Sequence, residues 1–286
     1  MGSGVSRRTL LFGASAAAVF AGCARPPVVV QTPTASPTGP VREQLAQLMD
    51  AYGRNTEQFG LALRDLRSGR DYEFRGDYTS QSASMAKVMI VAMALRQARK
   101  DGGPLPFDRM TQASKAIIES DNDSADALWA YAGGPDAYQA LANELQMTHT
   151  RRDPKNEFWS WTWTTPSDQR LLIDKIVHGT PALTEQERFY LLDLMAKTEA
   201  DQTWGVGAPK TSATAHPVVR VWMKNGWVQF QSTDGMWAVN SMGRVEGDGR
   251  DYLLAMMSRV PTFQQGKAFL NDVGADVFRV MGSGTL

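Results

Sequence analysis

Residues 84–95 read SMAKVMIVAMAL. Val88, Val91, Ala92 and Leu95 recur at helical spacing, so a helix starts at or just before Ser84 and carries Lys87 in its first turn. Residues three apart share a helix face, which lets the Ser84 hydroxyl and the Lys87 amine meet. A serine hydroxyl is a weak nucleophile until a base takes its proton, and lysine can be that base once burial or a nearby cation lowers its pKa. Alone, the pair reads equally well as a helix cap followed by a solvated lysine. Two later triplets change the balance: Ser120-Asp121-Asn122, between two helical segments, and Lys224-Asn225-Gly226, at the end of the strand-like run Val218 to Met223.

The surrounding pattern gives a fold. Two strand-like runs, Gly60 to Leu66 and Asp71 to Phe74, flank the turn signal Arg67-Ser68-Gly69-Arg70. Helical spacing then dominates through Ala113–Ile118, Ala125–Ala132, Ala137–Leu145, Gln169–Val177 and Glu185–Met195. Strand character returns at Val218–Met223, Met236–Val245 and Tyr252–Ser258, before an amphipathic helix on Phe269, Leu270, Val273, Val277 and Val280. Strands at both ends with helices between predict an α/β (α+β) domain over 41–286. An antiparallel sheet is built from both termini, with flanking helices and an inserted all-helical lobe.

The ordered triple resembles the penicillin-recognising serine enzymes, the class A β-lactamases and the D,D-peptidases. The resemblance covers roughly Val41 to Leu286 and implies the β-lactamase/transpeptidase-like fold. It implies an acyl-enzyme on Ser84 with Lys87 as base, and Ser120 as the relay that protonates the departing nitrogen. Asn122 would hold the substrate's side-chain amide and position Lys87, while Lys224 would bind the carboxylate shared by β-lactams and D-alanyl peptides. The backbone N–H groups of Ser84 and Trp227 would form the oxyanion hole. Asn225 stands where the family has Thr or Ser, replacing a hydroxyl by a bulkier amide that can still donate. Trp227 is much larger than the family's residue, and whether Arg220 or Arg244 reaches the carboxylate pocket depends on geometry.

A class A enzyme also carries a glutamate, in a loop ending Thr-Thr-x-Pro, that activates the deacylating water. Here the loop reads THTRRDPKNEFWSWTWTTP (148–166), and Asp153 and Glu157 are the carboxylates available for that task. Without an efficient base, acylation outpaces release and the protein behaves as a penicillin-binding protein. Trp159, Trp161 and Trp163 share one face if extended, either as a platform for a sugar or peptide or as loop packing. The expected substrate is a β-lactam. The alternatives are a peptidoglycan stem peptide cut by a D,D-peptidase, or a binding role in an envelope lipoprotein without catalysis.

The chain's first residues address location. Ser6-Arg7-Arg8-Thr9-Leu10-Leu11 resembles a twin-arginine export signal; an apolar run to Phe20 follows, then Ala21-Gly22-Cys23, similar to a lipoprotein cleavage site. Residues 1–22 are thus expected to be a signal peptide and Cys23 the lipidated residue. Residues 23–40 form a Pro/Thr-rich tether, holding a monomer at the outer face of the cytoplasmic membrane or in the periplasmic space. Cys23 is the single cysteine, so no internal disulfide is possible. Thirty basic residues balance thirty acidic ones, which argues against a nucleic-acid partner. His149, His178 and His216 lack metal-ligand spacing, and the lysine mechanism calls for neither a metal nor a cofactor.

Overall fold

The computed structural model describes residues 37–54, 56–211, 218–230 and 234–286. The expected signal peptide, Cys23, most of the tether and His216 lie outside the described residues. Five antiparallel strands form the main sheet in the order β2-β1-β7-β6-β5. They are β1 (Phe59–Asp65), β2 (Arg70–Phe74), β5 (Arg220–Gln229), β6 (Trp237–Gly247) and β7 (Arg250–Val260). As expected, the hairpin from the amino-terminal part joins three strands from the carboxy-terminal part, through β1 paired with β7. Asp248-Gly249 joins β6 to β7 with positive φ at both positions, +50° and +74°, the conformation that a two-residue hairpin with right-handed strand twist requires. A second pairing, β3 (Ser80–Gln81) with β4 (Trp163–Thr164), ties the approach to Ser84 to the end of the tryptophan-rich loop.

Both faces of the sheet are covered, and β7 shows how. Tyr252, Leu254 and Met256 face the cluster that contains α1 (Val41–Gly53) and α9 (Phe263–Met281). Leu253, Ala255 and Met257 face the cluster of the helical lobe. Because side chains alternate along a strand, a strand buried on both sides must be apolar throughout. The α1 helix was not anticipated, although Val41, Leu45, Leu48, Met49 and Tyr52 carry helical spacing and are all buried. Tyr52 Oη donates to Asp276 Oδ2 at 2.8 Å, fastening α1 to α9.

The lobe comprises α2 (Ala86–Lys100), α3 (Phe107–Ile118), α4 (Asn122–Tyr131), α5 (Gly134–Glu144), α6 (Pro166–His178) and α7 (Glu185–Met195), while the short α8 (Ala208–Thr211) packs against α9. Every residue of α2 from Ala86 to Leu95 is buried, so it is the lobe's central helix rather than an amphipathic one. α3, α4, α5 and α7 pack against it, α6 lies between α7 and the sheet, and two of the helix starts are chemically marked. Thr184 and Glu187 form a reciprocal capping box on α7, and Thr165 caps α6. No described helix is long and apolar enough to cross a membrane.

Candidate active site

Ser84 lies in a single 3-10 turn, Ala83–Met85, that runs directly into α2. This seats its backbone N–H at the positive end of the lobe's central helix. The preceding residue, Ala83, has φ +48°, a conformation costing a non-glycine residue about 1–2 kcal/mol. The strain is held by the sheet: β5 runs alongside so closely that a Cβ on Gly226 would lie 2.8 Å from Ser84 N, Met85 N and Ser82 O. Lys224-Asn225-Gly226 therefore sits inside β5, which continues to Gln229, rather than beyond a strand ending at Met223.

Lys87 is wholly buried, and its ammonium is surrounded by the second triplet. Nζ donates to Asn122 Oδ1 at 2.8 Å, to Ser120 Oγ at 3.3 Å and to the Ser120 carbonyl oxygen. Ser120 presents both groups with φ at +60°. Asp121 caps α4 by accepting from Ser124 N at 2.8 Å, leaving Asn122 as the first helical residue with its side chain directed to Lys87. Lys224, also wholly buried, donates to Ser120 Oγ at 2.8 Å and to the Asn225 carbonyl oxygen at 3.2 Å. Ser120 Oγ thus bridges two lysines and can accept from Lys224 while passing its own proton toward Lys87.

Burial lowers the Lys87 pKa from its ordinary 10.5 to about 8, against the opposing pull of Asp121 and Asp126. Burial, and then the charge of Lys87, hold Lys224 well below its ordinary range. Two amines close together in a dry site cannot both stay protonated easily, which makes one of them available as a base. If Lys87 is the base that takes the Ser84 proton, only its neutral form can do so, and acylation should speed up as pH rises and level off above about 8. The pH dependence of acylation by a fluorophosphonate probe, followed by stopped flow, checks this; a flat profile from pH 6 to 10 would count against Lys87 as the base.

Ser84, Ser120 and Asn122 open onto a cleft of about 320 Å³ that is also lined by Asp126, Phe158, Trp159, Ser160, Trp227 and Val228. Larger hollows elsewhere on the lobe contain no paired nucleophile and base. Trp227 lines the cleft and packs its indole against Trp204 and Phe263, at centroid distances of 6.1 and 5.1 Å.

Several expected residues are placed elsewhere. Asn225 does not line the cleft: it is fully buried, and its Nδ2 donates to the carbonyls of Gln202 at 2.7 Å and Trp204 at 3.2 Å. Those two acceptors fix which end of the amide is nitrogen and use both of its protons. Its Oδ1 is buried without a partner among the described residues. Asp153 and Glu157 are not brought to the cleft either. Asp153 shapes its own turn, accepting from Lys155 N at 2.8 Å and from Trp163 Nε1 at 3.3 Å, and Glu157 is exposed. The three tryptophans do not share a face, because residues 159–161 form a 3-10 turn rather than a strand. Trp159 turns inward with Lys87 Nζ 4.9 Å from its ring, Trp161 meets Phe230 edge-on at 5.8 Å, and Trp163 lies beneath Arg151. Arg220 pairs with Glu246, and Arg244 with Asp251 and Glu246; neither lines the cleft.

The carboxylate that does reach the cleft is Asp126, whose Oδ1 accepts from Trp159 Nε1 at 2.6 Å. The sequence reading missed it, although Asp126 follows Asn122 by four residues and so shares its helix face.

The model of the β-lactamase enzyme family known as Beta-lactamase2 matches residues 40–106 and 109–281, and the chain belongs to this family. No curated protein matches it in sequence. Solved structures share the fold at low identity. A class A β-lactamase from Bacteroides cellulosilyticus superposes with a TM-score of 0.71 at 16% identity, over 86% of this chain and 100% of the other. A β-lactamase from Xanthomonas campestris gives 0.70 at 19%, over 86% and 100%. The protein described as PBP-A gives 0.69 at 20%, over 87% and 99%.

Proposed function

We propose that this protein is a serine hydrolase that works through an acyl-enzyme on Ser84, with β-lactams among the donors that can acylate it and with slow release of the acyl group. The observation that carries the reading is the convergence of Lys87 Nζ on Ser120 and Asn122 beside a cleft that contains Ser84. Neutral Lys87 takes the Ser84 proton as Oγ attacks the carbonyl carbon, and the oxyanion forms beside the Ser84 and Trp227 N–H groups. The carbon–nitrogen bond then breaks, and the departing nitrogen receives the proton through Ser120. Water later attacks the ester, restoring the Ser84 hydroxyl and freeing the acid.

Slow release follows from what surrounds the ester. Neither Asp153 nor Glu157 lines the cleft, Trp159 covers Lys87, and one oxygen of Asp126 is engaged by the Trp159 indole. A penicillin-binding behaviour, with a long-lived adduct, is the form of this activity that those contacts favour.

Intact mass spectrometry of the protein with a penicillin, sampled from seconds to hours, tests it. The expected result is an adduct of one penicillin mass that persists on the wild type and is absent from Ser84→Ala. An equal adduct on Ser84→Ala would sink the nucleophile assignment. Rapid loss of the adduct with accumulating penicilloate would sink slow release and leave a β-lactamase.

A further inference from the structure

Lys87 is 0% exposed and does not line the cleft beside it; Trp159, 6% exposed, does. Lys87 Nζ lies 4.9 Å from the indole ring, close enough for the ring to shield the amine from water in the cleft. The loop that delivers Trp159 is tied to the approach to Ser84. Thr162 Oγ1 donates to the Trp159 carbonyl at 2.8 Å, and Ser82 N, two residues before the nucleophile, donates to the Thr162 carbonyl at 2.8 Å. Those bonds fix the backbone and leave the ring its side-chain torsions. The ring is held by its own N–H, which donates to Asp126 Oδ1 at 2.6 Å. A carboxylate acceptor makes this a charge-assisted bond, stronger than one to a neutral group. Asp126 is exposed, so no charge has to be buried to make it. Asn122, four residues earlier on the same face of α4, is the direct partner of Lys87.

We propose that Asp126 is a positioning residue of this site: by accepting from the indole N–H it latches Trp159 over Lys87 and keeps the base dry. The inference rests on the acyl-enzyme reading and names what conditions its base. α4 then serves Lys87 twice, directly through Asn122 and by way of the indole through Asp126. The charged groups around Lys87 are Asp121 and Asp126, at the cap and in the body of α4, and Lys224 from β5; Glu157 in the loop is exposed and does not line the cleft. Burial lowers the Lys87 pKa by more than the two carboxylates raise it, so unlatching, which hydrates the ammonium, moves it up from about 8. Removing the Asp126 charge alone, with an acceptor still in place, moves it down.

Trp159→Phe and Asp126→Asn separate these effects. Phenylalanine keeps a ring but has no N–H to latch, whereas the asparagine carbonyl can still accept from the indole without a charge. The reaction of Ser84 with a fluorophosphonate is followed from pH 6 to 10 on the full chain, with Ser84→Ala as background. The midpoint of the rate should rise by about one unit in Trp159→Phe, making it about tenfold slower at pH 7, and should fall below wild type in Asp126→Asn. Hydrogen exchange at 157–162, read by mass spectrometry, should quicken in Trp159→Phe and Asp126→Ala and stay near wild type in Asp126→Asn. A Trp159→Phe midpoint equal to wild type, with the rate lowered evenly at every pH or not at all, overturns the latch and leaves the acyl-enzyme standing. So does unchanged exchange at 157–162 in Asp126→Ala. Failure of wild-type Ser84 to react at any pH overturns the acyl-enzyme reading and this inference with it.

Discussion

Replacing Lys87 by methionine is expected to cut acylation of Ser84 by roughly 10²–10⁴-fold, the usual worth of a positioned general base, without unfolding the protein. Methionine approximates the length of the lysine stem and suits a site that is closed to solvent. The stability effect follows from the direction of the pKa shift. Lys87 has a lower pKa folded, about 8, than in the unfolded chain, so at neutral pH folding must bury an ammonium that water would otherwise solvate. That cost is present below about 8 and disappears as pH rises past the unfolded value near 10.5. Lys87→Met removes it, so at pH 7 the variant should melt at or above the wild-type temperature while losing acylation. A melting curve beside a fluorophosphonate rate separates the two effects. A variant that melts well below wild type would mean that the bonds to Ser120 and Asn122 outweigh the desolvation of the charge.

Gly226→Ala should have an effect of similar size by a different route. The added methyl would lie 2.8 Å from Ser82 O, Ser84 N and Met85 N, all backbone atoms held by the turn that opens α2. None can swing aside as a side-chain end could, so β5 must withdraw from the Ser84 turn or the turn must shift. Overpacking of this kind costs about 1–3 kcal/mol of stability. A displacement near 1 Å of the Ser84 and Trp227 N–H groups costs about 10²-fold in rate. Denaturant unfolding and acylation kinetics should both report the loss. Wild-type acylation in Gly226→Ala would mean that the close approach of β5 has no part in setting the site.

The contrast between Gly226 and Asn225 explains how much could be read in advance. Gly226 was legible as part of a triplet because its chemistry is backbone spacing, which a sequence motif records. Asn225 was read as a donor to substrate, since an amide offers donors wherever it sits. What its protons bind depends on the carbonyls of Gln202 and Trp204, more than twenty residues earlier in the chain. Trp159 is a similar case. Period-two spacing suggested a shared face for three indoles, but a 3-10 turn at 159–161 rotates Trp159 inward, where Asp126 can accept from its N–H.

The α1 helix was missed although Val41, Leu45, Leu48, Met49 and Tyr52 carried its spacing. Asp126 was missed because its place at the cleft depends on Trp159, whose indole N–H it accepts from 33 residues along the chain.

By itself the sequence determined the order of the three motifs, the helix that carries Ser84 and Lys87, and a sheet drawn from both ends of the chain. Those follow from local rules: periodicity, turn chemistry and the shared face of residues three or four apart. Only the tertiary structure decided that Lys87 and Lys224 are buried together around Ser120, that Asp126 rather than Asp153 or Glu157 reaches the cleft, and that Asn225 faces away from it. Burial, pKa and hydrogen-bond pairing belong to contacts between segments distant in sequence, and those contacts exist only once the lobe has closed against the sheet.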